Sequence, residues 1–421
     1  MRQILIPRAG DNDQRQLWVA QSDWTYSTDI VFPYVCLVPE SQNTNSHRNL
    51  HRAQETYLVF DGLDTFAHVA LCNRSVGDTN NQFRQWIFDV TDIVQTAQNC
   101  QLSITFTSVY TMAAKISDQY RGEFFYSLAS EVSNRSLIRK EQNDFGWDWS
   151  PAFVPQGIWK PAYVVQVDAE SANSIYIANS AIDIYRQGQL NNLPPDQTQP
   201  WVLNISIDYI GSAPVVKSLD FDIIDGRGHK FISDSISAVA VTKNTIQGSI
   251  VITKKPDLWW PVGYGNQTLY TLDIKVTGPK GDSISSLSKR VGFRTIVLNQ
   301  TPISKAQLAL GISNGSNWHF EINGRELFVK GSNLVPLGVF WPNVTEFSAR
   351  QILDAAVAGV SIRLSPKIKF LTHKQNQNML RVWSSGAYLP DFVYDIADEL
   401  GLMLWSEFGK ICRRAILYVS C

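Results

Sequence analysis

The feature that most constrains the fold is a change of sequence pattern near Trp318. Before it, short runs rich in β-branched and aromatic residues alternate with Gly-, Asn- and Asp-containing turns, as in Thr56–Phe60 and Trp201–Ile210. After it, two candidate helices lie between short apolar segments. Short strands and turns are typical of sandwiches and jelly rolls, whereas a β-α-β-α-β order opens a parallel α/β fold. We therefore expect a multi-domain chain with two β-sandwiches followed by an α/β domain.

The expected domain boundaries lie near residues 167 and 300. Residues 1–167 are predicted to form a sandwich of the jelly-roll type, and residues 168–300 an immunoglobulin-like β-sandwich. Residues 301–421 begin with the connector Pro302–Ser316. A complete (β/α)8 barrel needs roughly 250 residues, and about 100 follow the connector. The third domain is therefore expected to be an incomplete TIM barrel.

The α/β segment contains specific helix signals. Ser348 is the predicted N-cap of a helix that runs through Ala358 to Gly359, and Asp391 is the predicted cap of a second helix that ends at Gly401. The expected strands are Glu326–Lys330, Met379–Trp383 and Leu402–Trp405. Their C-terminal ends would share one rim, which is where barrel enzymes place their chemistry.

The composition excludes several classes of function. A formal charge of −1 gives no electrostatic basis for binding nucleic acid or an anionic membrane surface, and no run of 18 apolar residues could span a bilayer. The five Cys do not form a disulfide scaffold, and the six His form no ligand cluster, so we expect no metal and no cofactor. The 13 Trp suit sugar binding, although a Trp-rich sandwich core would account for them equally well.

One motif places a carboxylate between two indole rings. Asp148 lies between Trp147 and Trp149 in the segment RKEQNDFGWDWSP, which starts at Arg139 and is followed by GIWKP. A carboxylate supplies two acceptor oxygens for sugar hydroxyls, and indoles supply flat walls for the apolar face of a sugar. A buried Asp that caps backbone N–H groups in a Trp-rich core is the alternative without a ligand.

This segment resembles the N-terminal domain of the β-mannosidases of glycoside hydrolase family 2, of the secreted fungal type. The segments WWPVGYG at Trp259 and RVGFR at Arg290 are similar to the middle sandwich of the family. The segments FEINGRELFVKGSN, NMLRVW and WSEF are similar to its first three barrel strands. The substrate-binding residues that this resemblance implies are Trp147, Asp148, Arg381, Trp383 and Asn333, the last just past the first strand.

The resemblance implies a retaining exo-β-D-mannosidase that releases terminal non-reducing β-D-mannose from manno-oligosaccharides and N-glycan cores. Such enzymes use one Glu as acid and base and another as nucleophile, with carboxyl groups roughly 5 Å apart. In the family the acid/base Glu follows an Asn, and the chain contains no Asn-Glu pair. Glu407 is expected to be a structural partner at the third strand. Both catalytic Glu are therefore expected beyond Cys421, and this chain is expected to be inactive.

Two segments depart from the family pattern. Residues 360–375 separate a helix from a strand that follows it almost directly in the family, and connections in α/β units are usually short. Residues 409–421 replace the acidic barrel sequence that the family carries after WSEF. Codons for Val-Ser and Gly-Lys can match splice donors, and a Gln codon can match an acceptor. We therefore expect both segments to be translated introns, which cDNA sequencing across the junctions would test.

Secretion is expected from the resemblance. The N-terminus has no apolar core of signal-peptide length and lacks the family sequence before about Trp18, so the domain is expected to be incomplete at its start. Asn-X-Ser/Thr sequons, which are candidate N-glycosylation sites, occur at Asn73, Asn134, Asn204, Asn266, Asn299, Asn314 and Asn343.

Two alternative functions remain open. The two sandwiches could form a non-catalytic carbohydrate-binding protein, which would bind mannose without turnover. Another family 2 exo-glycosidase would act on a galactoside, glucuronide or glucosaminide, although the GWDW motif favours a mannoside. The expected partners are β-mannoside oligosaccharides, with a homodimer as an open alternative and with no nucleic acid or membrane.

Overall fold

The computed structural model describes residues 12–32, 54–96, 99–119, 135–147, 151–168, 171, 174–191, 193–358, 377–386 and 388–407. These residues form three successive groups of sheets, each packed around apolar cores of its own. Both segments expected to be translated introns, 360–375 and 409–421, lie outside the described residues. No helix in the described ranges is long and apolar enough to cross a membrane.

Two sheets that share one core dominate the N-terminal group. Its helices are α1 (Asn12–Arg15), α2 (Leu17–Gln21), α3 (Thr91–Val94) and α4 (Val109–Gln119). Its strands are β1 (Trp24–Val31), β2 (Gln54–Phe60), β3 (Leu63–Asp64), β4 (Ala67–Leu71), β5 (Arg74–Asp78), β6 (Trp86–Asp89), β7 (Asn99–Phe106), β8 (Gly157–Ile158) and β9 (Ala162–Asp168). The sheet orders are β1-β7-β4-β5, β6-β2-β9 and β3-β8. Alternating residues such as Phe60, Val69 and Phe106 fill the core between the two larger sheets, as a sandwich requires.

Helix α4 is not apparent from the sequence, because the period-two alternation of Gln101–Val109 predicts a strand that continues to Val109. The strand ends at Phe106, and Ser108 starts the helix because its Oγ accepts a hydrogen bond from the N–H of Tyr110 at 3.2 Å. Val109 and Ala113 are buried on the inner face of the helix. The apolar run therefore continues into a helix, and a pattern of period two ends without a Gly or Pro to mark the change.

A disulfide joins Cys72, just after β4, to Cys100 in β7, across a sequence separation of 28 residues. The sequence does not predict this pairing, because spacing alone does not decide which of five Cys meet. The two strands are hydrogen-bonded neighbours, which brings the sulfur atoms together. A bond across this separation removes unfolded-state entropy that corresponds to about 3–4 kcal/mol in the chain-entropy model.

The second group is a sandwich of two four-stranded antiparallel sheets. Its strands are β10 (Tyr176–Arg186), β11 (Trp201–Ile210), β12 (Ser218–Ile224), β13 (Lys230–Ile236), β14 (Val239–Val241), β15 (Thr245–Ile252), β16 (Tyr270–Thr277) and β17 (Ser283–Val291). The sheet orders are β10-β11-β15-β14 and β13-β12-β16-β17. Residues from both sheets, among them Leu203, Phe221 and Leu272, meet in one core.

One expected strand of this sandwich is wrong. The period-two alternation of Ser235–Thr242 predicts one continuous strand. The chain instead leaves one sheet after Ile236 and enters the other at Val239. Both parts alternate in the same way, so the sequence pattern does not reveal the transfer between sheets.

The third group contains a small antiparallel sheet and a parallel one. Its helices are α5 (Lys305–Ala309), α6 (Glu346–Ala358) and α7 (Asp391–Leu400). Its strands are β18 (Ile296–Asn299), β19 (His319–Ile322), β20 (Arg325–Leu327), β21 (Gly331–Leu334), β22 (Met379–Val382) and β23 (Met403–Ser406). Strands β21, β22 and β23 are parallel neighbours in that order, with α6 and α7 between them in the chain. The predicted β-α-β-α-β order is confirmed, and closure into a barrel stays a prediction.

The predicted helix caps need correction. Helix α6 begins two residues before Ser348, because Thr345 and Ser348 cap it reciprocally: each backbone N–H donates to the hydroxyl of the other, at 3.1 and 3.2 Å. Helix α7 has Pro390 at its N-cap and Asp391 as its first residue. Its predicted end is confirmed, since Gly401 takes a left-handed φ of 74°.

The expected strand Glu326–Lys330 is also wrong. Strand β20 ends before Phe328, and β21 starts only at Gly331. Between them, the N–H of Phe328 donates to the hydroxyl of Tyr264, and the N–H of Lys330 donates to the side-chain oxygen of Asn378. Side-chain oxygens therefore accept the backbone N–H groups that a neighbouring strand would have bound.

Candidate functional site

The C-terminal ends of the three parallel strands carry a connected polar cluster. Arg381, on β22, donates from Nε and Nη2 to the two carboxylate oxygens of Glu407, at 2.9 and 2.7 Å. Its Nη1 donates to Oδ1 of Asn333, on β21, at 3.0 Å. A planar guanidinium fits a carboxylate in this two-bond manner, so the orientation of Arg381 is fixed. Asn333 lies within β21 and not just past the strand as predicted.

Glu407 is fully engaged in this cluster. Its Oε2 also accepts a hydrogen bond from the N–H of Ser384 at 3.3 Å, and its own N–H donates to the carbonyl of Val382 at 3.1 Å. Both carboxylate oxygens therefore have partners. This geometry agrees with the structural role expected for Glu407, because its contacts hold the Arg381 guanidinium over the strand ends.

An indole ring from the N-terminal group approaches the same rim. The ring centroid of Trp147 lies 5.1 Å from that of Trp383, which follows β22 directly, and the two planes are tilted by 56°. The guanidinium of Arg135 is 5.9 Å from the Trp147 ring centroid. Trp147 remains 38% exposed, so part of its apolar surface faces solvent beside the polar cluster. Flat apolar surface next to hydrogen-bonding groups is what a sugar ring requires.

The structure thus brings together four of the five predicted substrate-binding residues. Trp147 contacts Trp383, and Arg381, two positions earlier on the same strand end, contacts Asn333. Asp148, which carries the motif's carboxylate, lies outside the described residues.

Two hydrogen bonds attach the segment before Trp147 to the α/β part. The N–H of Asn143 donates to the carbonyl of Ser385 at 2.7 Å, and Nε1 of Trp341 donates to the carboxylate of Glu141 at 2.9 Å. These contacts are not predicted from the sequence. The one sequence feature that could indicate them is the set of polar residues between Arg139 and Trp147, for which the sequence alone suggests no role.

A buried lysine lies under the same segment. The ammonium of Lys140 contacts the carboxylates of Asp64 and Asp144, the latter at 2.7 Å, and donates to the carbonyl of Pro155 at 2.8 Å. Burial raises the pKa of Asp144 to about 6, although the charge of Lys140 opposes the shift. Burial would lower the pKa of Lys140, but the two carboxylates outweigh it and hold the pKa above its usual range. The buried group of Asp64, Lys140 and Asp144 thus contains two acids and one base, away from water.

The two middle-sandwich motifs dock that sandwich onto helix α7. Nε1 of Trp259 donates to the carbonyl of Asp398 at 2.8 Å. Arg290 makes ion pairs with Asp395 and Glu399, both at 2.7 Å. These contacts join the second group of sheets to the α/β part, which is a structural role.

The predicted glycosylation sites differ in accessibility. Asn134 lies outside the described residues. Asn299 is buried and its amide donates to Glu321, so a glycan there would require that contact to break. Asn204 is half-buried. The exposed sites are Asn73, Asn266, Asn314 and Asn343.

Comparisons with known proteins agree with this architecture. A family described as the glycosyl hydrolase 2 galactose-binding domain-like family matches residues 2–160, and one described as glycosyl hydrolases family 2 matches residues 197–294. Beta-mannosidase A of Aspergillus niger is 44% identical over 405 residues, which cover 95% of this chain and 40% of that protein. Beta-mannosidase A of Aspergillus fumigatus is 48% identical over 361 residues, which cover 84% and 37%.

A solved structure is similar over almost the whole chain. The crystal structure of β-D-mannosidase from Dictyoglomus thermophilum aligns with a TM-score of 0.71 at 25% identity, and covers 96% of this chain and 42% of that one. The chain spans about 40% of the length of the curated relatives it matches. Sequence and fold therefore agree that the chain belongs to glycoside hydrolase family 2 and is a homologue of the fungal β-mannosidases.

Proposed function

We propose that this chain is the N-terminal portion of a retaining exo-β-D-mannosidase, which hydrolyses terminal non-reducing β-D-mannose in manno-oligosaccharides and N-glycan cores. The observation that carries the proposal is the contact of Trp147 with Trp383 beside Arg381. An exo-acting enzyme needs walls that enclose one terminal sugar. Two parts of the chain, which carry Trp147 and Trp383, meet here and supply surfaces for such a wall. The β-mannosidase relatives support the reaction class.

In this proposal the chain supplies the sugar-binding side of the site. The exposed face of Trp147 packs against the apolar face of the mannose ring, and Asp148 accepts hydrogen bonds from its hydroxyls. Trp383 adjoins Trp147 in the same wall, and Arg381 and Asn333 supply hydrogen-bonding groups beside it. The two catalytic Glu belong to sequence beyond this chain, and Glu407 is engaged by Arg381. We expect the chain alone to bind β-mannosides without hydrolysing them.

The domain assignment is part of the same proposal. A jelly roll is assigned to residues 1–167, an immunoglobulin-like sandwich to 168–300, and the start of a TIM barrel to 301–421. The parallel order β21-β22-β23 supports a barrel, because polar residues cluster at the C-terminal ends of its strands.

Secretion and glycosylation are also proposed. The disulfide Cys72–Cys100 supports them, because such bonds persist in oxidising compartments. Peptide mass spectrometry of the protein in the culture medium and in the cell extract, before and after removal of N-glycans, tests both. Glycans at Asn73, Asn266, Asn314 or Asn343 are the expected result, and an unmodified protein with reduced Cys72 contradicts it.

Calorimetric titration of the whole chain tests the binding function. We expect mannobiose to bind with a millimolar or lower Kd, while nitrophenyl β-mannoside is not hydrolysed by the same sample. Galactose and glucuronic acid serve as controls for the sister activities. Absence of mannoside binding by a folded chain refutes the proposal. Tighter binding of galactose or glucuronic acid would indicate that the enzyme acts on a galactoside or a glucuronide instead. Light scattering on the same sample tests the homodimer alternative.

A non-catalytic carbohydrate-binding protein is the second candidate. It is favoured by the engagement of Glu407, which leaves the described rim without an unpaired carboxylate. Assay of a longer gene product that includes both catalytic Glu distinguishes the hydrolase from the binding protein. Turnover of nitrophenyl β-mannoside by that product excludes a purely binding role.

A further inference from the structure

We propose that Lys140 is a positioning residue for sugar binding: its buried ion pairs hold residues 141–147 in place and thereby set Trp147 against Trp383. The sugar-binding part of this inference rests on the proposed function. The part that concerns the position of the segment does not, because it follows from contacts within the chain.

Lys140 connects a fixed element to the segment that carries Trp147. Asp64 belongs to β3, where it pairs with Gly157 of β8, so its backbone is held by the sheet. Asp144 belongs to the segment itself, and its carbonyl accepts the N–H groups of Phe153 and Val154, both at 3.1 Å. Because the side chain of Lys140 is fully buried between these two carboxylates, its charge ties the segment to the N-terminal sheets.

The same segment reaches the α/β part within a few residues. Glu141, next to Lys140, accepts the indole N–H of Trp341, and Asn143 donates to the carbonyl of Ser385. The segment is thus held at one side by ion pairs and at the other by two hydrogen bonds to the rim. Trp147 lies only four residues after Asn143, so its position depends on both attachments.

Removal of the Lys140 charge would leave two carboxylates in a dry site. Buried charges without a partner move toward water or take up protons. Asp64 is restrained by strand pairing, whereas Asp144 lies in the short 3-10 helix Gln142–Phe145, outside any sheet. Relief of the charge imbalance should therefore displace residues 141–147 before it disturbs the sheets.

A role in packing alone makes a different prediction. If Lys140 only fills space, Met, which is of similar length and apolar, should replace it better than the bulkier Arg. If its charge holds the segment, Arg should replace it better than Met. The order of the two variants therefore separates the two roles.

Hydrogen–deuterium exchange on the full chain is the first test. In Lys140→Met we expect residues 141–147 to exchange about tenfold faster or more, while strands β11 and β16 keep their rates. Asp220→Asn is the matched control, because Asp220 accepts hydrogen bonds from Ser235 and Thr277 within the middle sandwich, far along the chain from Lys140. Unchanged exchange in residues 141–147 of a folded Lys140→Met variant overturns the proposal.

Mannobiose titration is the second test. Lys140→Met is expected to weaken binding about tenfold or more, and Lys140→Arg to stay within about threefold of the unmodified chain. Equal binding by both variants overturns the positioning role. If the unmodified chain binds no mannoside, the proposed function fails, while the exchange data still decide the role of Lys140.

Asp144→Ala covers the case in which Lys140→Met does not fold. It leaves Lys140 paired with Asp64, so the buried charges become balanced while the ion pair that ties the segment is lost. We expect the same faster exchange in residues 141–147. Exchange at the unmodified rate overturns the proposal.

Discussion

The contact between Arg381 and Glu407 allows a quantitative test of the rim. Replacement of Glu407 by Gln removes the carboxylate charge and one of its two acceptor oxygens while it keeps the side-chain shape. Hydrogen bonds to charged groups contribute about 1.5–3 kcal/mol in mutational series. The two side chains are 35% and 26% exposed, so solvent screening reduces this to about 1–2 kcal/mol.

Loss of this contact should weaken sugar binding, since Arg381 could then rotate away from the rim. If all of the lost energy is needed to orient Arg381, the mannobiose Kd should rise about 5- to 30-fold, because 1.4 kcal/mol corresponds to a factor of ten. Isothermal titration of the full chain measures the Kd, and thermal unfolding of the same samples shows whether the variant is folded.

Glu399→Gln is the matched control for this prediction. Glu399 pairs with Arg290 at 2.7 Å and is 41% exposed, but it docks the middle sandwich onto helix α7 and lies away from the rim. It should change the unfolding temperature and leave the Kd unchanged. A Glu407→Gln variant that binds mannobiose as tightly as the unmodified chain would refute the claim that Glu407 orients Arg381.

Three further predictions concern other parts of the molecule. Replacement of Trp147 by Ala should abolish measurable mannobiose binding, whereas Ala at Trp18, which also makes a tilted contact with another Trp, should not alter it; calorimetry compares the two. Reduction of the Cys72–Cys100 bond should lower the free energy of unfolding by about 3–4 kcal/mol, measured by denaturant titration with and without reductant. The folded-state pKa of Asp144, about 6, lies above its ordinary 3.8, so the folded state holds more protons between these values. Stability should therefore fall as pH rises from about 3.8 through about 6, and Asp144→Asn should flatten that slope in a series of melting curves.

Much of the fold was accessible from the sequence because sandwich strands alternate with period two. Trp201–Ile210 was predicted with the bounds it has in the structure, and the β-α-β-α-β order followed from two amphipathic helices between apolar runs. The errors arose where tertiary contacts override local pattern. Ser235–Thr242 changes sheets without a break in its alternation, and the side chains of Tyr264 and Asn378 interrupt the strand expected at Glu326–Lys330.

The candidate site was predictable in its residue types and not in its contacts. The resemblance to family 2 assigned Trp147 and Arg381 to one site, although they lie in different groups of sheets. The ion pair of Lys140 with Asp64 joins positions 76 residues apart, and no local pattern connects them. Long-range pairings of this kind depend on how the sheets pack, which a single sequence does not specify.

The Arg381 cluster also links binding to local unfolding. Its three members come from β21, from β22 and from the residue after β23, so detachment of any one strand end removes at least one hydrogen bond of the guanidinium. Sub-global opening of a strand end costs less free energy than complete unfolding. Mannoside affinity should therefore decline on heating before the sandwiches melt, and the temperature at which it declines would report how firmly the third parallel strand is held.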